Sequence, residues 1–214
     1  MMKHRSSHIG VKLSVALVFL AALGWVTTAS PLPQQPTGED APVQQALQQA
    51  RRVANELTEK VRGLLFKELE KGGYVGAVRV CSEVAQEIPR EFTARTGHYV
   101  RRVSLGYRHP KDVPDEYERQ KLELFDRLNR EGKLESEYYE VVTEQGGRYL
   151  RYLRPLLTGP MCLTCHGEKQ QIPADVRAIL EEKYPDDRAT GYHTGDVRGA
   201  VSVKIALPSP SEPK

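Results

Sequence analysis

The sequence predicts an α+β fold, and three observations carry that reading. Apolar residues recur at helical spacing over roughly residues 43–88. Two runs rich in β-formers flank Glu144-Gln145-Gly146-Gly147. A closing apolar run, Gly199 to Leu207, has strand composition. Helices come first, and a further helix then lies amid antiparallel strands, which suits segregated α+β layers.

Taken in order, Val43 to Leu69 places Leu47, Ala50, Ala54, Leu57, Val61, Leu64 and Leu65 on one helical face. Gly72-Gly73 is expected to stop this long helix. A second helical run starts near Gly76, with Ala77, Cys81, Val84, Ala85 and Ile88 on one face, and Pro89 is expected to kink or end it. Tyr99 to Leu105 has strand character, and His109 to Pro114 reads as a loop. Asp115-x-x-Glu118 is a capping box for a helix through Leu122, Phe125 and Leu128, ending at Gly132. Tyr138 to Thr143 and Arg148 to Leu153 form a hairpin, whose second strand leads toward Cys162. Pro173 to Tyr184 is a short helix with a proline in its first turn and Pro185 beyond its end.

The N-terminus bears on compartment. Lys3, His4, Arg5 and Lys12 precede a nearly uniform apolar stretch from Leu13 to Val26, followed by the small-residue site Thr27-Thr28-Ala29. Residues 1–29 therefore read as a secretory signal peptide, with an uncleaved membrane anchor as the alternative. Residues 30–42, rich in Pro and Gln, read as a linker, 43–207 as one domain and 208–214 as a tail. The formal charge of +3 belongs to the leader: removing Lys3, Arg5 and Lys12 leaves 28 basic against 28 acidic residues. No basic stripe suits nucleic acid. The remaining 185 or so residues are enough for one domain with a core.

Cys162-Leu163-Thr164-Cys165-His166 carries the chemistry. C-x-x-C-H is the attachment pattern for c-type haem: each thiol adds to one vinyl group, and the histidine lies under the iron. Gly167 lets the backbone stay close to the macrocycle. Three rivals fare worse. A zinc site wants four ligands, and only Cys81 remains as a further cysteine. A thioredoxin-type pair wants a βαβ setting that this pattern lacks. A Cys162–Cys165 disulfide closes too short a loop to stabilise much. Export agrees with the haem reading, because c-type haem is attached outside the cytoplasm.

With His166 on one side of the iron, the candidates for the other are Cys81, His98, His109, His193, a water or an open site. Met161 lies beside the attachment point and is a poor candidate. Cys81 is the thiol left over after haem attachment and falls on an apolar helix face; the bland alternative is a small core residue. Arg101, Arg102, Arg148, Arg151 and Arg154 flank strands; most read as ordinary solvated arginines, and at most one or two are expected to meet the haem propionates.

Several segments together resemble the PAS-like c-type haem proteins, a family first grouped as a domain of unknown function. They are Val80-Cys81-Ser82, Arg102 to Leu105, Pro114 to Glu118, Tyr149 to Leu156, the haem motif, Tyr184 to Tyr192 and Arg198 to Val203, and they span nearly all of 43–207. The resemblance implies a five-stranded antiparallel sheet with flanking helices behind a long N-terminal helix. It also implies one covalent haem c with His and Cys axial ligands, which fall on His166 and Cys81. One departure is His109-Pro110-Lys111, where the family pattern has asparagine before the proline, and this makes His109 of interest near the haem.

The function expected is that of an exported, periplasmic electron carrier or redox or gas sensor. A thiolate ligand favours ferric iron and a low potential, and its loss on reduction would open a site for CO or NO. No kinase or methyl-accepting region appears, so a redox or signalling protein partner is expected. Membrane contact is expected only through an uncleaved N-terminal segment. The alternative is a peroxidase-like haem enzyme with an open distal site, which Cys81 ligation would close. A third class is an assembly factor in which haem only stabilises the fold.

Overall fold

The computed structural model describes residues 40–209. The expected signal peptide, most of the expected linker and the end of the tail lie outside them. Helix α1 (Asp40–Glu83) begins inside the stretch expected as linker, since Pro42 sits in the first turn, where a missing N–H goes unused. Its expected face is buried at Leu47, Ala50, Ala54 and Leu57. Gly73, at φ 61° and ψ −161°, does not end the helix but kinks it, a conformation that glycine alone adopts freely. Helix α2 (Ile88–Thr96) starts where a kink or end was expected: Pro89 opens it instead of closing its predecessor. α1 stops at Glu83, and Val84 is consequently exposed rather than on an apolar face.

The sheet holds β1 (Tyr99–Val103), β2 (Tyr138–Glu144), β3 (Gly147–Leu157) and β4 (Val197–Leu207), antiparallel in the order β1-β4-β3-β2. Four strands stand among the described residues, where five were expected from the family resemblance. Beyond β1 the chain turns rather than returning as a strand. The Ser104 N–H donates to the Asp112 carbonyl at 3.0 Å, and Pro110–Asp112 forms a 3₁₀ turn. Pro110 and Pro114 have no N–H to offer a ladder. The β2–β3 hairpin is as expected, with positive φ at both Gln145 and Gly146, the arrangement that suits strand twist.

Helix α3 (Glu116–Arg130) has the expected capping box. The Glu118 N–H donates to Asp115 Oδ1 at 2.7 Å, and the Asp115 N–H to Glu118 Oε2 at 2.8 Å. A one-turn helix, α4 (Leu163–His166), and α5 (Ala174–Lys183) follow β3.

Period-two alternation sorts the sheet into two layers. Val100, Leu150, Tyr152, Val203 and Ile205 pack on Leu47, Ala50 and Leu57 of α1. Val103, Leu153 and Ala200 face Leu122 and Phe125 of α3. Past its kink, α1 leaves the sheet core: Val78 packs with Ile179, Leu180 and Tyr184 of the α5 region. Among the described residues, no helix is long and apolar enough to cross a membrane.

Candidate functional site

Where the two packings of α1 part, the structure leaves a cavity of about 590 Å³. Leu57, Val61 and Leu65 line it from the first segment of α1, and Tyr74, Ala77 and Cys81 from the second. Val201 of β4, Leu180 of α5 and Tyr184 add further wall. The segment leaving β3 brings Met161, Cys162, Cys165 and His166 to the same space. Two smaller hollows, of about 410 Å³ between α1 and α2 and about 320 Å³ beside Asn129, contain no cysteine or histidine.

Each motif residue is held by its local fold. Pro160–Cys162 forms a 3₁₀ turn that runs into α4. The Gly159 N–H donates to Cys162 Sγ at 3.3 Å. Arg108 caps the motif from outside: its guanidinium donates to the Cys165 carbonyl at 2.6 Å and to Asp187 Oδ2 at 3.1 Å. Gly167 follows directly, and a side chain there would press on the Leu163 carbonyl at 2.7 Å. The tight reversal therefore requires glycine.

His166 is oriented by one short contact. Its Nδ1 lies 2.7 Å from the Ala189 carbonyl, which can only accept, so Nδ1 carries the proton and Nε2 keeps a lone pair. Burial pushes the ring pKa well below the usual histidine value, and the cations of Arg198 and Arg108 push the same way. The imidazole is therefore neutral near pH 7. Ala189 is fixed in turn, its N–H donating to Asp187 Oδ1 at 2.8 Å. The 184–192 segment thus serves as the support behind His166, as metal-binding histidines require.

All three cysteines are free thiols. Burial raises the Cys81 pKa, with Arg102 and Arg108 pulling against it, and burial pushes Cys165 up to about 11. Burial outweighs the pull of these cations, so Cys81 and Cys165 stay protonated at neutral pH.

The other histidines separate clearly. His193 is 74% exposed beside Asp196 and Glu168. His98 follows α2 and lies outside the cavity lining. His109 does line the cavity, with Nδ1 accepting from the Lys111 N–H at 3.0 Å and its ring edge-on to Tyr184 at 6.4 Å. Of the five arginines considered from sequence, Arg102 alone lines the cavity. Arg101 and Arg151 point to the α3 layer, where Glu118 lies 3.3 Å and 3.8 Å away respectively.

Sequence reading missed Arg108 and Arg198. The first lies in a loop with no local signal. The second is aimed by a β-bulge: Leu156 pairs with Gly199 but Leu157 with Val197, so Arg198 is skipped. Without the bulge, its parity would match Ala200 and turn it toward α3. Gly199 makes the bulge possible, because any Cβ there would collide with the Val103 carbonyl.

A family model of the Tll0287-like proteins matches residues 39–206. The chain belongs to the Tll0287-like family. Among solved structures, it is similar to the cyanobacterial heme-protein Tll0287, with a TM-score of 0.59 and 28% sequence identity. The likeness covers 78% of this chain and 98% of that one. No curated protein matches the sequence. The family resemblance read from the sequence segments is borne out by these matches.

Proposed function

We propose that this family member is an exported c-type haem protein that works as an electron carrier or as a redox or gas sensor. In this reading one haem c occupies the cavity, joined to Cys162 and Cys165, with His166 and Cys81 on the iron. The observation that carries it is the convergence of Cys81, Cys162, Cys165 and His166 on one largely apolar cavity of about 590 Å³. That volume falls within the roughly 300–1,000 Å³ of cofactor pockets. The similarity to a structure described as a heme-protein supports the same reading.

The donor chemistry fits the group. His166 is neutral and keeps Nε2 free, and Cys162 and Cys165 line the same cavity in the C-x-x-C-H order. Arg102 lines the cavity and forms no ion pair among the described residues, so it is free to meet an anionic group. A bare-metal site has no support: among the described residues, no three His, Cys, Asp or Glu side chains are grouped to hold an ion.

When bound, haem supplies a one-electron iron couple and an axial position that CO or NO can take. The protein's own residues set the conditions. The Ala189 carbonyl keeps the His166 lone pair pointed away from Nδ1. Cys81 would give up the proton that burial retains if it ligated the iron, since a ligating thiol is deprotonated outright. As a thiolate it would donate charge and lower the potential. The apolar wall from α1 excludes water. Residues 1–29 direct export in this proposal, and a redox or signalling protein receives the electron or the signal.

Two measurements test it. Denatured holoprotein extracted with acidified solvent should retain its haem on the polypeptide, and loss to the solvent would end the c-type reading. Cys81→Ala should convert a low-spin ferric spectrum to a high-spin one, speed CO binding to the ferrous form and raise the potential. An unchanged spectrum would move the ligand elsewhere, with His109 next. A high-spin ferric spectrum in the unsubstituted protein would favour a peroxidase-like enzyme with an open distal site.

A further inference from the structure

The cavity wall holds more positive charge than the protein itself neutralises. Arg108 is matched by Asp187, 3.0 Å away, and Arg62 on the α1 wall by Glu59, 3.9 Å away. Arg102 and Arg198 also line the cavity, yet neither pairs with a carboxylate among the described residues. Arg198 donates only to neutral oxygens, Ser104 Oγ at 2.7 Å and the Gly106 carbonyl at 3.0 Å. Arg102 Nε is buried without a hydrogen bond, as are Arg101 Nε and Arg151 Nε on the other face, but those two arginines have carboxylate partners and Arg102 has none among the described residues. Asp112 lines the cavity as well and offsets part of the charge, but it forms no ion pair with either arginine.

Leaving a guanidinium at a desolvated wall without an anion is costly, and native structures rarely do so without a ligand to receive it. The fold invests in this arrangement. Arg102 reaches the wall by strand alternation, while Arg101 beside it turns the other way to Glu118. Arg198 gets there only through the bulge that Gly199 permits. The two positions lie on paired strands, with Arg102 opposite Val201 in the β1–β4 register. Two forked donors on one wall match a ligand bearing carboxylates.

We propose that Arg102 and Arg198 form a carboxylate site that receives the haem propionates. The proposal rests on the haem reading above and adds which wall the propionate edge faces: the β1–β4 wall, not the α1 wall. Arg108 takes no part, being occupied by Asp187 and the Cys165 carbonyl.

The test uses full-length holoprotein carrying Arg198→Gln, Arg198→Lys or Arg102→Gln. Resonance Raman spectra report the propionate bending modes, equilibrium titration reports the potential, and denaturing extraction reports covalent haem. Arg198→Gln and Arg102→Gln should each shift the propionate modes and lower the potential, with haem still covalently bound. Arg198→Lys should restore most of the wild-type potential. A merely structural role would leave the propionate modes in place. Unchanged modes and potential in both Gln variants, with haem still attached, would overturn the site and leave the haem reading intact. Absence of haem from the wild-type protein would instead remove that reading. Should Arg198→Gln not fold, Arg102→Gln decides alone, because Arg102 Nε makes no bond that the fold depends on.

Discussion

The two faces of the sheet treat the same residue type in opposite ways. On the α3 face, Arg151 is 3% exposed and meets Asp115 and Glu144 at 2.8 and 2.9 Å, with Glu118 3.8 Å away. Arg101 joins this cluster through Glu118. On the α1 face, Arg102 and Arg198 meet no carboxylate among the described residues. The first face is a closed account of charge, and its arginines hold α3 to the sheet. The second is open, and its arginines wait for an anion from outside. Burial alone therefore does not mark a binding arginine; missing counter-charge does.

The largest expected effect comes from opening the closed face. Glu118 is fully buried and serves Arg101, Arg151 and the Asp115 N–H at once. Glu118→Ala leaves Arg101 with two neutral acceptors, the Val113 carbonyl and Tyr99 Oη, and removes half of the capping box. Breaking a buried ion pair from one side costs roughly 3–5 kcal/mol. Urea denaturation should show that loss as a lower midpoint, with the haem spectrum unaltered. If Glu118→Ala unfolds no more easily than wild type, the α3 face is not held by its charges. A changed haem spectrum with unchanged stability would break the comparison from the other side.

Gly199→Ala should have the next largest effect, and it acts on the open face. The new Cβ meets the Val103 carbonyl, a backbone atom that cannot step aside. The bulge must shift, at a cost of about 1–3 kcal/mol as for other overpacked sites. Because the bulge aims Arg198, the potential should move with the stability. A stability loss with no change in potential or propionate signal would show that the bulge serves the fold only.

How much of this was legible beforehand follows from which signals are local. Capping boxes, hairpin turns and the C-x-x-C-H motif are written in a few adjacent residues, so Asp115–Glu118, Gln145-Gly146 and Cys162–His166 could be placed from sequence. Gly72-Gly73 reads as a stop but forms a kink, because sequence reveals that the helix is interrupted but not that packing on α5 resumes it. Pro89 was ambiguous for a related reason: proline ends one helix or opens the next, and the tertiary contacts of Ile88 and Phe92 decide. The fifth strand came from resemblance, whereas Pro110 and Pro114 argued locally against it. Arg108 and Arg198 were hidden because their roles depend on a loop path and on a bulge. Both are properties of the folded path of the chain rather than of composition.

A third kind of charge pair lies at the rim, and it sets the small end of the scale. Arg51 of α1 donates to Glu137, reaching Oε1 at 2.8 Å through Nε, and Tyr152 Oη donates to the same carboxylate at 3.0 Å. The Arg51 hydrogen bond, against the cost of burial and with help from Tyr152, holds the Glu137 pKa below its ordinary 4.5. The folded state therefore binds this proton less readily than the unfolded chain. Stability from the pair is fully present above about pH 4.5 and is lost as pH falls through the depressed value. Arg51 is 46% exposed, so solvent screening limits the contribution to about 0.2–1 kcal/mol. Arg51→Gln should lower the denaturation midpoint slightly at pH 7 and flatten the acid limb between pH 5 and 3, by about that amount. High salt should mimic the substitution in the wild-type protein and have less effect on the buried Arg151 cluster. A loss at pH 7 as large as that of Glu118→Ala would mean that the rim pair is not the screened, minor contact its exposure implies. The scale running from buried cluster to rim would then need a cause other than desolvation.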